Sequence, residues 1–148
     1  MPKIRSTLSK KNEYYISPHA FYAAYHQAMR YTEWLEEYEA IASATIKAVD
    51  YEHDGGSGSY TGDPTSSLGA KLARISKNLD AIRWAAKEAG EDLYTYILYA
   101  VTNEGVTYKY LRTKKIPCSR NEFYQRRRKF YYLLSKRMEI GDTGDNNL

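Results

Sequence analysis

Arg120, Asn121, Tyr124, Gln125 and Arg128 follow one another at alternating spacings of one and three residues, which on a helix share one side. Their groups are forked or paired hydrogen-bonding groups. A guanidinium matches the two acceptors of guanine and a carboxamide the donor and acceptor of adenine, each good pair discriminating by about 1–3 kcal/mol. Around them Arg126, Arg127, Lys129, Lys114 and Lys115 supply cations suited to phosphate oxygens, which give affinity and register without reading sequence. The chemistry is that of gripping a polyanion and reading its base edges.

The charge distribution agrees. Residues 107–140 hold 11 Lys/Arg against 2 Asp/Glu, whereas residues 1–106 hold 11 against 14, so a net charge of only +4 conceals one strongly basic segment. Like charge so clustered repels itself and calls for an anionic partner, most often a phosphate backbone.

The elements that must carry these residues can be placed from local signals. Thr107 to Arg112 makes a short helix, Pro117 forbids its continuation, and Ser119-Arg120-Asn121-Glu122 reads as a capping box opening a final helix to about Glu139. Phe123, Phe130, Leu134 and Met138 form that helix's apolar seam. Helix, short turn and recognition helix is the order of a helix-turn-helix.

Upstream, Ser17-Pro18 starts a helix with Phe21, Tyr22, Tyr25, Ala28 and Met29 on one face, and Thr32 starts a second carrying Trp34, Leu35, Tyr38 and Ile41. Asp63-Pro64 opens the longest pattern, Leu68 to Ala86, which Gly90 ends in the left-handed cap conformation. No alternating run is long enough for a sheet. The expectation is an all-α chain: a flexible basic arm at 1–13, a helical body at 14–90 built as a hairpin of long helices around a Gly/Ser-rich loop at 50–63, a helix-turn-helix module at 91–140, and a disordered tail at 141–148.

Composition excludes other classes. Apolar types make up 43% of the 148 residues, but 16 of these are tyrosines, so the core must be built partly from phenol rings. No stretch approaches the roughly 20 apolar residues of a membrane span, and the N-terminus lacks a signal-peptide apolar run. The single cysteine, Cys118, forms neither an internal disulfide nor a zinc site; adjacent cations and a helix start would lower its thiol pKa, but no base accompanies it in sequence. Asp50, Glu52, Asp54 and Gly55 imitate a calcium loop that lacks the bidentate Glu at its twelfth position, Thr61. His19 and His26 read as packing residues of an amphipathic helix, and Glu33, Glu36, Glu37 and Glu39 as a solvated face. The expectation is no catalytic residue, no metal, no cofactor and a cytoplasmic location.

The stretch GVTYKYLRTKKIPCSRNEFYQRRRKFYYLL, residues 105–134, resembles the C-terminal module of the RinA/ArpU-type phage regulators, with a helix-turn-helix similar to the promoter-reading region of sigma factors. The resemblance runs roughly over residues 14–138. Phe123 and Arg126 match the apolar residue three before an arginine in such recognition helices, while Arg127 and Phe130 stand where Leu and Ala are usual. It implies a late-gene transcription activator; with the last helix reading double-stranded DNA, the N-terminal helices are expected to supply dimerisation or contact with host RNA polymerase, the chain being taken as a homo-oligomer, a dimer. On the residues alone two other readings stay open: a small terminase-like DNA-packaging subunit, and a host-takeover or anti-defence protein that binds another protein.

Overall fold

A computed structural model describes the chain at residues 9–55 and 64–145, with side chains described over 9–44 and 67–140. It is all-helical, with no strand among the described residues. The helices are α1 (Pro18–Met29), α2 (Tyr31–Gly55), α3 (Pro64–Ala89), α4 (Tyr94–Thr102), α5 (Tyr108–Thr113) and α6 (Arg120–Asp145), with a 3-10 turn at Glu91–Leu93 before α4.

The helix starts follow their caps. Ser17 Oγ accepts from the Ala20 N–H with Pro18 at the first helical position, and Thr107 Oγ1 does the same for Tyr110 N–H. Ser119 Oγ accepts from Glu122 N–H. The Glu122 carboxylate turns instead to Arg126, so no reciprocal contact closes this cap.

Three boundaries and one cap conformation depart from expectation. α2 runs to Gly55, well into the segment expected as a loop from residue 50, and residues 56–63 lie outside the described ones. α6 runs to Asp145 where a disordered tail was expected from 141. Residues 1–8 of the arm are likewise outside the described residues, but 9–15 make tight turns, with Asn12 N–H on Ser9 O and Tyr15 N–H on Asn12 O. Gly90 ends α3 in extended backbone, φ 178°, rather than in the left-handed region. The approach there is close: a Cβ would lie 3.2 Å from Arg126 Nη1 and 3.3 Å from Ile97 Cδ1, so those side chains would have to give by a few tenths of an ångström. The left-handed glycine is Gly105, φ 78°, in the turn after α4.

Two compact units emerge, residues 1–31 with 81–148 and residues 32–80, in place of a body at 14–90 and a module at 91–140. The first unit is built around α6, which packs most extensively on α1 and also on α4. Its core joins Phe21, Ala24, Tyr25 and Ala28 of α1 to the Ile82–Ala89 end of α3, to Ile97 and Val101 of α4, to Leu111 of α5, and to Phe123, Phe130, Tyr131 and Leu134 of α6. Tyr131 meets the Phe21 ring edge-on at 4.9 Å, so phenol rings do fill the centre. Burial pushes the Tyr131 hydroxyl pKa up to about 12. In the second unit Trp34, Ile75 and Leu79 are buried, and Lys71 Nζ pairs with Glu37 Oε1 at 2.7 Å.

Candidate nucleic-acid interface

Helix α5 ends in a six-residue connection, Lys114 to Ser119, that sets the start of α6. Its first half is a Schellman motif: Ile116 N–H donates to Leu111 O at 3.2 Å and Lys115 N–H to Arg112 O at 3.1 Å. The residue that must adopt the left-handed conformation in this motif is Lys115, φ 64°, the only non-glycine with positive φ among the described residues. Leu111 and Ile116, the positions that make the apolar contact of such a motif, are both buried.

Two tyrosine hydroxyls fasten the connection. Tyr96 of α4 donates to the carbonyls of Lys114 and Lys115 at 3.0 and 3.3 Å, and Tyr108 of α5 donates to Cys118 O at 2.6 Å. The Tyr108 ring also lies against Phe123 of α6. The first turn of α6 is therefore positioned by α4, by α5 and by its own seam residue.

On this frame the expected contact residues divide. Asn121 and Arg128 are exposed and Gln125 half-buried, along one stripe of α6 at i, i+7 and i+4. Arg120 is exposed, its guanidinium 5.6 Å over the Tyr108 ring. Tyr124 is half-buried, flanked by Phe123, covered by the Arg127 guanidinium at 5.1 Å, with its hydroxyl 3.5 Å from Tyr108 N. Lys114 and Lys115 are exposed and Lys129 half-buried.

Arg126 is elsewhere. Its Nη1 donates to Ala89 O at 3.1 Å, closing one of the orphan carbonyls at the end of α3, and its Nη2 lies 3.4 Å from Glu122 Oε1. It flanks the Phe123–Phe130 seam, and the structure spends it on the fold rather than on the outer stripe.

The remaining cations keep their charge available. Among the described residues, no acid pairs with Lys114, Lys115, Arg120, Arg127 or Arg128, and the sequence offers no Asp or Glu between Gly105 and Asn121. Stacking on tyrosine rings orients Arg120 and Arg127 while leaving their N–H groups unspent.

Comparison with protein-family models, curated proteins and solved structures returns no match. The site is thus known by its own geometry.

Other expected features resolve as follows. Cys118 is half-buried, and burial first, then the Glu122 and Asp92 carboxylates, pushes its thiol pKa up against the pull of Arg126, the reverse of the expected depression. His19 and His26 are exposed rather than packed, His26 lying edge-on to Tyr25. Among the described residues no group of three His, Cys, Asp or Glu could hold a metal ion, and the side chains of the calcium-like Asp50–Gly55 stretch are outside them. No described helix is long and apolar enough to cross a membrane.

Sequence reasoning missed the two hydroxyl fastenings, because their acceptors are backbone carbonyls that carry no residue identity. It also missed the exposed cations Lys109 and Arg112, and a stack of two exposed rings, Tyr99 and Tyr110.

Proposed function

We propose that the chain is a sequence-specific DNA-binding protein in which α5, the Lys114–Ser119 connection and the first turns of α6 act as a helix-turn-helix. α6 lies in the major groove, where Arg120, Asn121, Gln125 and Arg128 meet base edges with Tyr124 at the margin of the contact. Lys114, Lys115, Arg127 and Lys129 hold phosphates. The observation that carries the reading is the exposed, acid-free group of Lys114, Lys115, Arg120 and Arg128 around Asn121 and Gln125 at the start of α6, presented by a connection fastened at both ends by tyrosine hydroxyls. Arg126 has no part in it.

Within this reading the helices of residues 32–80 form a hairpin, to which the Glu37–Lys71 pair lends support. The resemblance to RinA/ArpU-type regulators extends the proposal to transcription control, with activation of late phage genes, contact with host RNA polymerase and a cytoplasmic dimer as its further terms.

The test is recovery of bound fragments from genomic DNA, followed by affinity for a recovered duplex across a salt series. A specific site with a steep fall of log affinity against log salt supports the proposal. Arg120→Ala with Arg128→Ala should weaken duplex binding by about ten-fold or more, since each bidentate base contact carries about 1–3 kcal/mol of discrimination. A shallow salt slope, or unchanged binding by the double variant, refutes it.

A further inference from the structure

A second surface on the same unit lies away from the α6 stripe. On α5, Tyr108 and Tyr110 leave the helix roughly 200° apart at 100° per residue. Tyr108 turns toward Phe123 and the start of α6, and Tyr110 toward α4. There the Tyr99 and Tyr110 rings stack at a centroid distance of 6.1 Å and 21° between planes, and both remain substantially in solvent, 43% and 41% exposed. Lys114 Nζ sits 5.6 Å from the Tyr110 ring centre. Lys109, Arg112 and Lys115, all exposed, belong to the same helix and connection.

The two stacked rings neither fill the core nor fasten the backbone, and they present flat aromatic surface to solvent. The charge around them narrows the choice of partner. From Gly105 to Asn121 the chain carries five cations and no acid, so an acidic polymer is attracted and a basic one repelled. Flat rings beside a row of cations are the means by which proteins hold unpaired nucleic acid: bases stack on the rings and the backbone follows the charges. A closed duplex buries its base faces and has nothing to lay on Tyr99.

We propose that Tyr99 and Tyr110, with Lys114 and Lys109, form a binding surface for single-stranded nucleic acid that meets the duplex-reading contact of α6 only at Lys114. It does not depend on that stripe, because the rings belong to α4 and α5 and the stripe to α6.

The test is fluorescence anisotropy of the full chain with a labelled oligothymidine of about ten nucleotides, within the site sizes of roughly 4–16 nucleotides found for such surfaces, and with a hairpin duplex for comparison. Tyr99→Ala with Tyr110→Ala should weaken oligothymidine binding by about ten-fold or more, from stacking worth about 1–3 kcal/mol per base, while duplex binding changes less than about two-fold. Tyr99→Phe with Tyr110→Phe keeps the rings and should retain single-strand binding, which separates stacking from loss of the fold. Arg120→Ala with Arg128→Ala should do the reverse, losing the duplex and keeping the oligothymidine. Absence of oligothymidine binding, unchanged binding by the double alanine variant, or loss of it in the Arg120/Arg128 variant each overturns the proposal. In the first two cases a salt-dependent duplex interaction leaves the α6 reading standing.

Discussion

Replacing Lys115 with glycine should make the protein more stable and a poorer DNA binder at once. Lys115 holds φ 64° because the Schellman motif at the end of α5 demands a left-handed residue there. A residue with a Cβ in that region is disfavoured by about 1–2 kcal/mol. Glycine adopts it freely but loosens the unfolded chain by about 0.4–1 kcal/mol. Lys115→Ala removes the charge and keeps the strain; Lys115→Gly removes both. The difference between the two variants isolates the backbone, and should favour glycine by about 0.5–1 kcal/mol, or a melting point about 1–4 °C higher for a chain of this length. Both variants lose the ammonium, so both should flatten the slope of log affinity against log salt by about 1. Thermal unfolding followed by circular dichroism measures the first effect, and duplex titrations at several salt concentrations the second. Glycine no more stable than alanine would refute the strain argument. An unaltered salt slope in both would remove Lys115 from the phosphate contacts whatever the melting data show.

Arg126→Ala should destabilise the first unit by about 1–2 kcal/mol, seen as a lower urea midpoint, because it orphans the Ala89 carbonyl; Arg128→Ala should leave the midpoint within about 0.5 kcal/mol and weaken duplex binding instead. If the two variants exchanged these effects, the assignment of the two arginines would be wrong. Tyr131 gives an alkaline signature. Its hydroxyl ionises near 10 when unfolded and is pushed up to about 12 by burial, so its contribution is complete below pH 10 and disappears as pH rises toward 12. Stability should fall by about 3 kcal/mol across that interval, and Tyr131→Phe should lessen the fall; an equal fall in the variant would locate the alkaline sensitivity elsewhere.

Much of the frame was legible in short-range signals. Ser17-Pro18, Thr107 and Ser119 each cap the helix they announce, and Phe123, Phe130 and Leu134 are all buried along the expected seam. Signals that depend on distant partners were not. Arg126 was expected to hold phosphate, yet it flanks the seam three residues from Phe123 and four from Phe130, and its acceptor is a carbonyl 37 residues away that any residue type could provide. Gly90 was expected as a left-handed cap, and its actual role, leaving room for Arg126 and Ile97, requires knowing which side chains converge there. α2 continued to Gly55 because polar residues such as Asp50 and Glu52 do not themselves break a helix; the Gly/Ser run proper begins only at Gly55.

The double use of α6 has a practical outcome. One uninterrupted rod from Arg120 to Asp145 offers its outer stripe to solvent and its inner seam to α1 and α4. Cutting out residues 105–134 as a peptide would strip Tyr131 of Phe21 and Tyr25 and α6 of its packing on α1 and α4, leaving a basic segment with no scaffold to hold its arginines in register. The cationic segment is therefore no transplantable cassette, and damage to the distant α1 surface should disable it as surely as loss of the arginines themselves.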